Sequence, residues 1–268
     1  MWNLLKATAA QTKRDKILWL IAAFFCLIFP GFMILTDLVM DAGIFTNMTG
    51  SAAAGTWLES TAFLMPMMVF IMTGRICGWD LRDKTANYEI LFGHKRASVY
   101  FSRFLIASAV CIFFATVLML LPPLLMTAFM GWGASMTFGT MMQHYLLALP
   151  VVLRIVCLFT MLAFLVEHDV AVFAIGFFVN MGQMILIVLL EVSGNGMKLS
   201  WHTSLICLMR NVLDFSNTTG GMLDGKEITV YKAALEQSAV TETLLSAVGF
   251  GLLWLLLGYL IFRRRDLK

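Results

Sequence analysis

Residues 75–103 read RICGWDLRDKTANYEILFGHKRASVYFSR and lie between two long apolar runs. The stretch carries six Lys and Arg residues, mixed with acidic residues and with the apolar side chains of Tyr88, Leu91 and Phe92. The runs on either side contain too few polar residues to face water. The pattern therefore predicts a charged, structured loop held between two membrane spans, a place where a soluble partner would bind.

The composition of the whole chain supports this interpretation. The chain has 268 residues, of which 60% are hydrophobic and only 13% are charged, and its mean hydropathy is +0.85. A soluble domain carries about 25% charged residues. We therefore expect an integral membrane protein that contacts membrane lipids and does not bind nucleic acid. The five cysteines form no C-x-x-C pair, so we expect buried thiols and no metal site.

Six apolar runs are long enough to cross a bilayer, which needs about 20 residues per helix. Their composition, rich in Leu, Met, Phe and Ala, favours helices over a barrel. The predicted fold is a single all-α polytopic membrane domain covering residues 1–268, with spans at approximately 17–36, 57–78, 104–129, 146–166, 170–190 and 243–262.

The distribution of Lys and Arg predicts the orientation of these spans. The N-terminus, the 75–103 segment and the C-terminal tail together hold 14 of the 19 Lys and Arg residues, and the 37–56 and 130–145 connections hold none. Because positive residues concentrate on the cytoplasmic side, both termini and the charged loop are expected there.

Two further segments are expected near the membrane surface. Residues 2–16 place Trp2, Leu5 and Ala9 apart from the lysines, which predicts a short interfacial helix, with a plain basic flank as the alternative. Residues 199–215 are apolar but interrupted, so they are expected to lie in the outer interface or to form a re-entrant segment.

Within the charged loop, Tyr88, Leu91 and Phe92 recur at helical spacing, and Gly93 is placed to end the helix. The alternative is a solvated loop whose cations only set the topology. An exposed cluster of aromatic and aliphatic side chains favours docking, since such a patch is poorly soluble unless a protein or lipid headgroups cover it.

The order D-x-R-D-K-T-A-N-Y-E-I-L-F-G-H-K-R-x-x-V-Y-F-S-R at 80–103 resembles the cytoplasmic loop of ABC-2-type permeases, the membrane subunits of ATP-binding-cassette exporters, including those that confer immunity to antimicrobial peptides and lantibiotics. The six spans, the interfacial segment and the long outer connection extend the resemblance over the chain. His94 and Lys95 depart from the small hydroxyl residue more usual before Arg96. The residues in matching places are Thr85, Leu91, Phe92, Gly93, Arg96, Tyr100 and Arg103.

The resemblance implies that the loop is a coupling helix that docks on a separate cytoplasmic ABC ATPase, which would hold the ATP and Mg²⁺. It also implies a second six-span permease, identical or homologous, and a bacterial plasma membrane. The substrate class is expected to be amphipathic or hydrophobic, for example an antimicrobial peptide. The residues expected to form the coupling loop are Asp83, Lys84, Thr85, Tyr88, Leu91, Phe92, Gly93, Lys95 and Arg96.

The chain itself is not expected to hydrolyse ATP or to hold a cofactor. Residues 220–226 match G-x-x-x-x-G-K, but Glu227 follows where a P-loop has Ser or Thr for Mg²⁺, and polar residues precede it instead of a buried strand. We interpret the match as a turn.

Polar residues inside the predicted spans are the other candidates. Arg154 either lines a pathway or is an interfacial side chain in a span that begins later. Asn180 and Gln183 share a helix face, where interhelical hydrogen bonding is expected first and cavity lining second.

Two other functions remain alternatives. A stand-alone secondary transporter predicts inverted-repeat halves, which the sequence lacks. An intramembrane enzyme needs a cluster of catalytic or metal-binding groups, whereas the four histidines lie in predicted loops on both sides.

Overall fold

The fold is described from a computed structural model, which covers residues 1–28, 31, 49–83, 85–166, 168–193, 218–223, 226–231 and 237–264. The first helix is followed at once by a second, which continues as a turn of π-helix over Phe24–Ile28. The helices are α1 (Trp2–Arg14), α2 (Lys16–Ala23), α3 (Gly50–Arg82), α4 (Thr85–Leu91), α5 (Arg96–Met130), α6 (Phe138–Val166), α7 (Asp169–Ser193) and α8 (Gln237–Arg264).

Four stretches of the described helices are long and apolar enough to cross a membrane: Leu64–Arg82, Arg96–Met130, Phe138–Val166 and Val240–Arg264. By length and composition, they support four of the predicted spans and a helical membrane protein. The helices extend beyond the predicted runs because polar residues at their ends continue the backbone hydrogen bonding. In particular, α3 and α5 carry charged residues on several additional turns next to the 83–95 loop.

The other two predicted spans correspond to shorter apolar helices, Lys16–Ile28 and Asp169–Val179. Most of the second half of the run at 17–36 lies outside the described residues. The run at 170–190 falls on α7, which has 25 residues in all. The described residues therefore contain four candidate spans, and six spans remain a prediction.

A two-stranded antiparallel hairpin is the one departure from helix among the described elements. Strand β1 (Thr218–Leu223) pairs with β2 (Lys226–Tyr231), and Leu223 lies opposite Lys226. The all-α expectation did not include these strands. In a P-loop the lysine opens a helix, whereas here Lys226 opens a strand. The predicted re-entrant segment 199–215 lies outside the described residues.

Helix α3 is the centre of the bundle. It packs against α5, α6 and α7, while α8 packs on the far side of α6. Within the spanning stretches, 78% of Leu64–Arg82 is buried, compared with 28% of Val240–Arg264. The exposed apolar face of α8 is what a helix at the edge of a membrane bundle presents to lipid or to another membrane subunit.

The end of the bundle opposite the charged loop is closed by backbone hydrogen bonds. The first amides of α3, from Gly50 and Ser51, donate to the carbonyl oxygens of Gly131 and Trp132 at 2.9 and 2.7 Å. A helix begins with amides that have no partner within the helix, so this loop satisfies them. Gly131 has φ +77, a backbone conformation in which a residue with a side chain would be strained.

Two glycines let α7 approach α3 closely at the charged end. A Cβ atom on Gly78 would lie 3.0 Å from the Cα of Asp169 and 3.1 Å from its amide nitrogen. One turn away, a Cβ on Gly74 would lie 3.0 Å from Val172. The spacing G-x-x-x-G is typical of close helix contacts in membranes.

We expect Gly78→Leu to destabilise the bundle by roughly 1–3 kcal/mol, the usual effect of overpacking, because the new side chain meets backbone atoms of α7. Thermal unfolding in detergent measures the effect. The matched control is Gly249→Leu, at a helical position where a Cβ atom would have nothing within 4 Å. Equal melting temperatures for the two variants would contradict the close packing.

Candidate functional site

The short helix predicted in the charged loop is present as α4. Its end follows from hydrogen bonds that glycine makes possible: the Gly93 amide donates to the Ile90 carbonyl at 3.0 Å, and the His94 amide to the Glu89 carbonyl at 3.1 Å. This is the Schellman arrangement, in which the residue after the helix adopts positive φ. Gly93 has φ +91, so the predicted helix stop is confirmed.

The outer face of α4 carries the three predicted docking residues. The exposed fractions are 58% for Tyr88, 73% for Leu91 and 84% for Phe92. Large apolar side chains this exposed, on a seven-residue helix surrounded by charges, form a small patch suited to insertion into a partner's groove.

The inner face of α4 is firmly attached to the bundle. Ala86 is completely buried, and Ile90 packs against the hydrophobic core. Glu89 accepts a hydrogen bond from Nη1 of Arg103 at 2.8 Å. The short helix is thus held by one ion pair and by apolar contacts on the same face.

We call Gln11, Asp80, Glu89 and Arg103 the loop cluster. The Arg103 side chain is fully buried, and its Nε donates to Asp80 at 3.0 Å while its Nη1 donates to Glu89. The amide of Gln11 donates to the other oxygen of Asp80. One guanidinium on α5 therefore links α3, α4 and, through Asp80, α1.

We call Asp15, Arg75, Arg82 and Asp169 the elbow cluster. Asp15 lies between α1 and α2, caps α2 by accepting from the Ile17 amide, and accepts from Arg75 Nε at 2.8 Å. Asp169 begins α7 and accepts from Nη1 of Arg75 and of Arg82, both at 2.9 Å. The elbow cluster therefore fixes the α1–α2 bend and the start of α7 against α3.

The other predicted loop residues lie on the surface around α4. Asp83 ends α3 and makes an exposed ion pair with Arg82 at 3.1 Å. Thr85 begins α4, and Lys95 precedes α5 as an exposed residue. Lys84 lies outside the described residues.

Arg96 faces a different neighbour from the rest of the loop. It begins α5, and its Nη1 donates to the carbonyl oxygens of Phe262 and Arg263, at 3.3 and 2.8 Å, at the end of α8. A cation at a helix C-terminus is favourable because carbonyl groups point outward there. Arg96 therefore connects the loop to the last span.

Arg154 lies in the interior of the bundle. It is sixteen residues, or about 24 Å, from the start of α6, well inside the helix. Only 2% of the residue is exposed; Nη1 donates to Ser246 at 3.0 Å, and the guanidinium lies 4.7 Å from the Phe250 ring centroid. These contacts join α6 to α8. Asn180 and Gln183 lie on α7, and their side chains are outside the described set.

The two clusters were only partly visible in the sequence. Arg103 lies at a place that matches the ABC-2 loop, and Asp80 and Glu89 are acidic residues of the same segment, but the sequence alone does not predict that the three side chains meet. Asp15, Arg75 and Asp169 lie far apart in sequence. The one signal for them is that each is a charged residue near the end of a predicted span, where an ion pair with another span is common. Among the described residues, no group of three His, Cys, Asp or Glu side chains is arranged to hold a metal ion.

No known protein family matches the chain, and no curated protein matches it. The resemblance of residues 80–103 to an ABC-2 permease loop therefore stays a prediction. The functional proposal below therefore rests on the exposed face of α4 and on the loop cluster that attaches this helix to the bundle.

We expect Glu89→Ala to release α4 while leaving the spans folded. Hydrogen bonds to charged groups contribute about 1.5–3 kcal/mol, so amide hydrogen exchange at 85–91 should accelerate roughly tenfold or more. The control is Asp83→Ala, which removes an exposed ion pair worth at most about 1 kcal/mol. A similar response of α4 to both variants would show that Glu89 does not anchor the helix.

Proposed function

We propose that this chain is the permease subunit of an ABC exporter and that α4 is the coupling helix that docks on a separate cytoplasmic ATPase. The observation that carries the proposal is the combination of an exposed apolar face, formed by Tyr88, Leu91 and Phe92, with an inner face fixed by Glu89 and Arg103. A docking helix needs both properties. It must bury apolar anchors in its partner and remain rigidly joined to the spans that it moves.

The level of α4 favours a protein partner over lipid headgroups. In the proposed orientation, the membrane boundary would lie near Lys16, where the apolar helix α2 begins. Arg82, the last residue of the apolar stretch Leu64–Arg82, lies seven residues further along α3 than Arg75 and would then lie about 10 Å beyond this boundary. The headgroup layer is only about 5–8 Å thick on each side, so α4 would extend past it.

The contacts of the loop also suggest how motion would reach the spans. Displacement of α4 would act on α5 and α3 through Arg103, and on α8 through Arg96. In the proposed exporter, closure of two ATPase subunits would displace α4 in each of two permeases, identical or homologous. Six spans with both termini in the cytoplasm belong to this proposal.

The substrate class is part of the proposal and is amphipathic or hydrophobic, for example an antimicrobial peptide. A cavity of about 460 Å³ lies between α6 and α8, far from α4, and is lined by four aliphatic residues and two glutamines. Gln143 and Gln237 supply the polar groups of this cavity. Such a lining suits a ligand with apolar bulk and a few polar groups.

The proposed orientation is tested by labelling single cysteines with a membrane-impermeant maleimide. Lys95→Cys should react only in permeabilised cells or inverted vesicles, because α4 would face the cytoplasm, and Ala134→Cys should react in intact cells. Four native cysteines are buried and can remain, and Cys207 is replaced by Ser in both variants. Reaction of Lys95→Cys in intact cells, with Ala134→Cys protected, would place α4 out of reach of a cytoplasmic ATPase and contradict the proposal.

The proposed docking is tested by affinity purification from the native membrane in mild detergent, followed by mass spectrometry. The intact chain should recover an ABC ATPase. Leu91→Asp with Phe92→Asp should lose it, because hot-spot residues contribute about 2 kcal/mol or more each and the pair should weaken binding by at least about a thousandfold.

The control for the docking test is Phe138→Asp, which changes an exposed aromatic residue at the opposite end of the bundle. It should insert into the membrane as the double variant does and keep the ATPase. Recovery of the ATPase with the double variant would contradict the coupling role of α4. Recovery of the intact chain alone, with transport in liposomes that lack ATP, would favour a stand-alone secondary transporter.

A further inference from the structure

A second cavity lies on the outside of the bundle, beside the bend between α1 and α2. It has a volume of about 270 Å³ and opens between the α1–α2 bend and α5. We call it the elbow groove. Its apolar walls include Leu18, Trp19, Ile106, Val110, Phe113 and Phe114. The space equals that of roughly nine water molecules at about 30 Å³ each, but the walls offer these waters very few hydrogen-bonding partners.

The walls of the elbow groove are held in place without a ligand. The indole Nε1 of Trp19 donates to the carbonyl oxygen of Lys13 at 3.0 Å, which fixes the ring against the end of α1. The same ring makes an edge-on contact with Phe114, with 5.6 Å between centroids. Trp19 is still 48% exposed, so the groove is a stable concavity open to its surroundings.

Lys13 lines the groove, and two further cations, Arg14 and Lys16, lie within three residues of it in the chain. Lys13, Arg14 and Lys16 are exposed, and none of them forms an ion pair with a carboxylate of the described residues. The one acidic residue between them, Asp15, is already engaged by Arg75. Three cations with no acidic neighbour left to balance them form a site for a negatively charged group.

The groove runs from these cations into the apolar part of the bundle. On α5 it is lined from Ile106 to Phe114, a rise of about 12 Å. Phe113 is 59% exposed, so the inner end of the groove opens sideways, where a bilayer would have its hydrocarbon. A charged end followed by a long apolar channel matches one kind of molecule, a phospholipid with an anionic headgroup.

We propose that the elbow groove binds one acyl chain of an anionic glycerophospholipid, with the phosphate against Lys13 and Lys16. The bound lipid would fill the space beside α1 and α2 and so stabilise the bend that the elbow cluster sets. Its origin in the cytoplasmic leaflet rests on the orientation proposed above. The binding site itself depends only on the groove and its cations.

The test uses liposomes of phosphatidylcholine that contain a trace of lipid with a photoactivatable acyl chain, either phosphatidylglycerol or phosphatidylcholine. After illumination, labelled peptides are mapped by mass spectrometry. Phosphatidylglycerol should label residues 106–114 several times more strongly than phosphatidylcholine does. Lys13→Gln with Lys16→Gln should bring the labelling by the two lipids close to equal, because each cation contributes about 1 kcal/mol of attraction to an anionic lipid. Ala109→Trp should block labelling by filling the groove from an exposed position.

Two control variants should leave the labelling unchanged. Lys95→Gln removes an exposed cation at the same end of the bundle, and Ala128→Trp adds the same bulk at an exposed position of α5 far from the groove. Equal labelling from both headgroups, or undiminished labelling of Ala109→Trp, would overturn the proposal. No ATPase is needed, so failure here would leave the proposed permease role untouched.

Discussion

The guanidinium of Arg103 has no access to solvent, and it lies where α3, α4 and α5 meet. A buried cation of this kind is stable only with carboxylates in good geometry, and leaving it without any partner typically costs about 3–5 kcal/mol. Asp80 and Glu89 supply the two carboxylates, one from a span and one from the short helix. The position of α4 is therefore tied to the spacing of α3 and α5, and Gln11 brings α1 to the same carboxylate. Without Arg103, Asp80 would be a buried, uncompensated charge, and α4 would keep only its apolar contacts.

The elbow cluster applies the same principle to different elements. Arg75 bridges Asp15 and Asp169, which come from the α1–α2 bend and from the start of α7. The short approach of α7 that Gly74 and Gly78 permit brings Asp169 within reach of Arg75 and Arg82. Replacing such ion pairs by apolar residues of similar shape is often neutral for stability, so we infer that these pairs contribute to specificity more than to stability. In a membrane, lipid tails are as apolar as the helix surfaces, so apolar contacts alone distinguish poorly between helix pairings. The ion pairs would favour one of these pairings.

Sequence patterns were sufficient for those features that depend on local physics. Hydropathy predicted the four helices that are long and apolar enough to cross a membrane, because a bilayer demands about 20 apolar residues whatever lies beside them. Helical spacing and Gly93 predicted α4 and its end, because helix caps are local.

The ion pairs could not be predicted in the same way. Asp15 and Arg75, or Arg75 and Asp169, are 60 and 94 residues apart, and their contact depends on how helices pack. The hairpin at 218–231 was missed because its glycines and polar residues resemble a turn, and the pairing of two strands gives no strong signal in so short a segment.

The exposed face of α4 is useful for coupling only because the inner face of the helix is fixed to the bundle. A short helix in a flexible loop can bind a partner, but a displacement of the partner would then be absorbed by the loop. Here the residues that face outward, Leu91 and Phe92, are within three residues of Glu89, whose carboxylate is fixed to a completely buried arginine. A displacement of α4 therefore acts on α5 and, through Asp80, on α3, unless the buried ion pair breaks. This mechanical connection distinguishes α4 from a loop whose charges serve only to set topology, since topology requires cations on the correct side of the membrane and no fixed geometry at all.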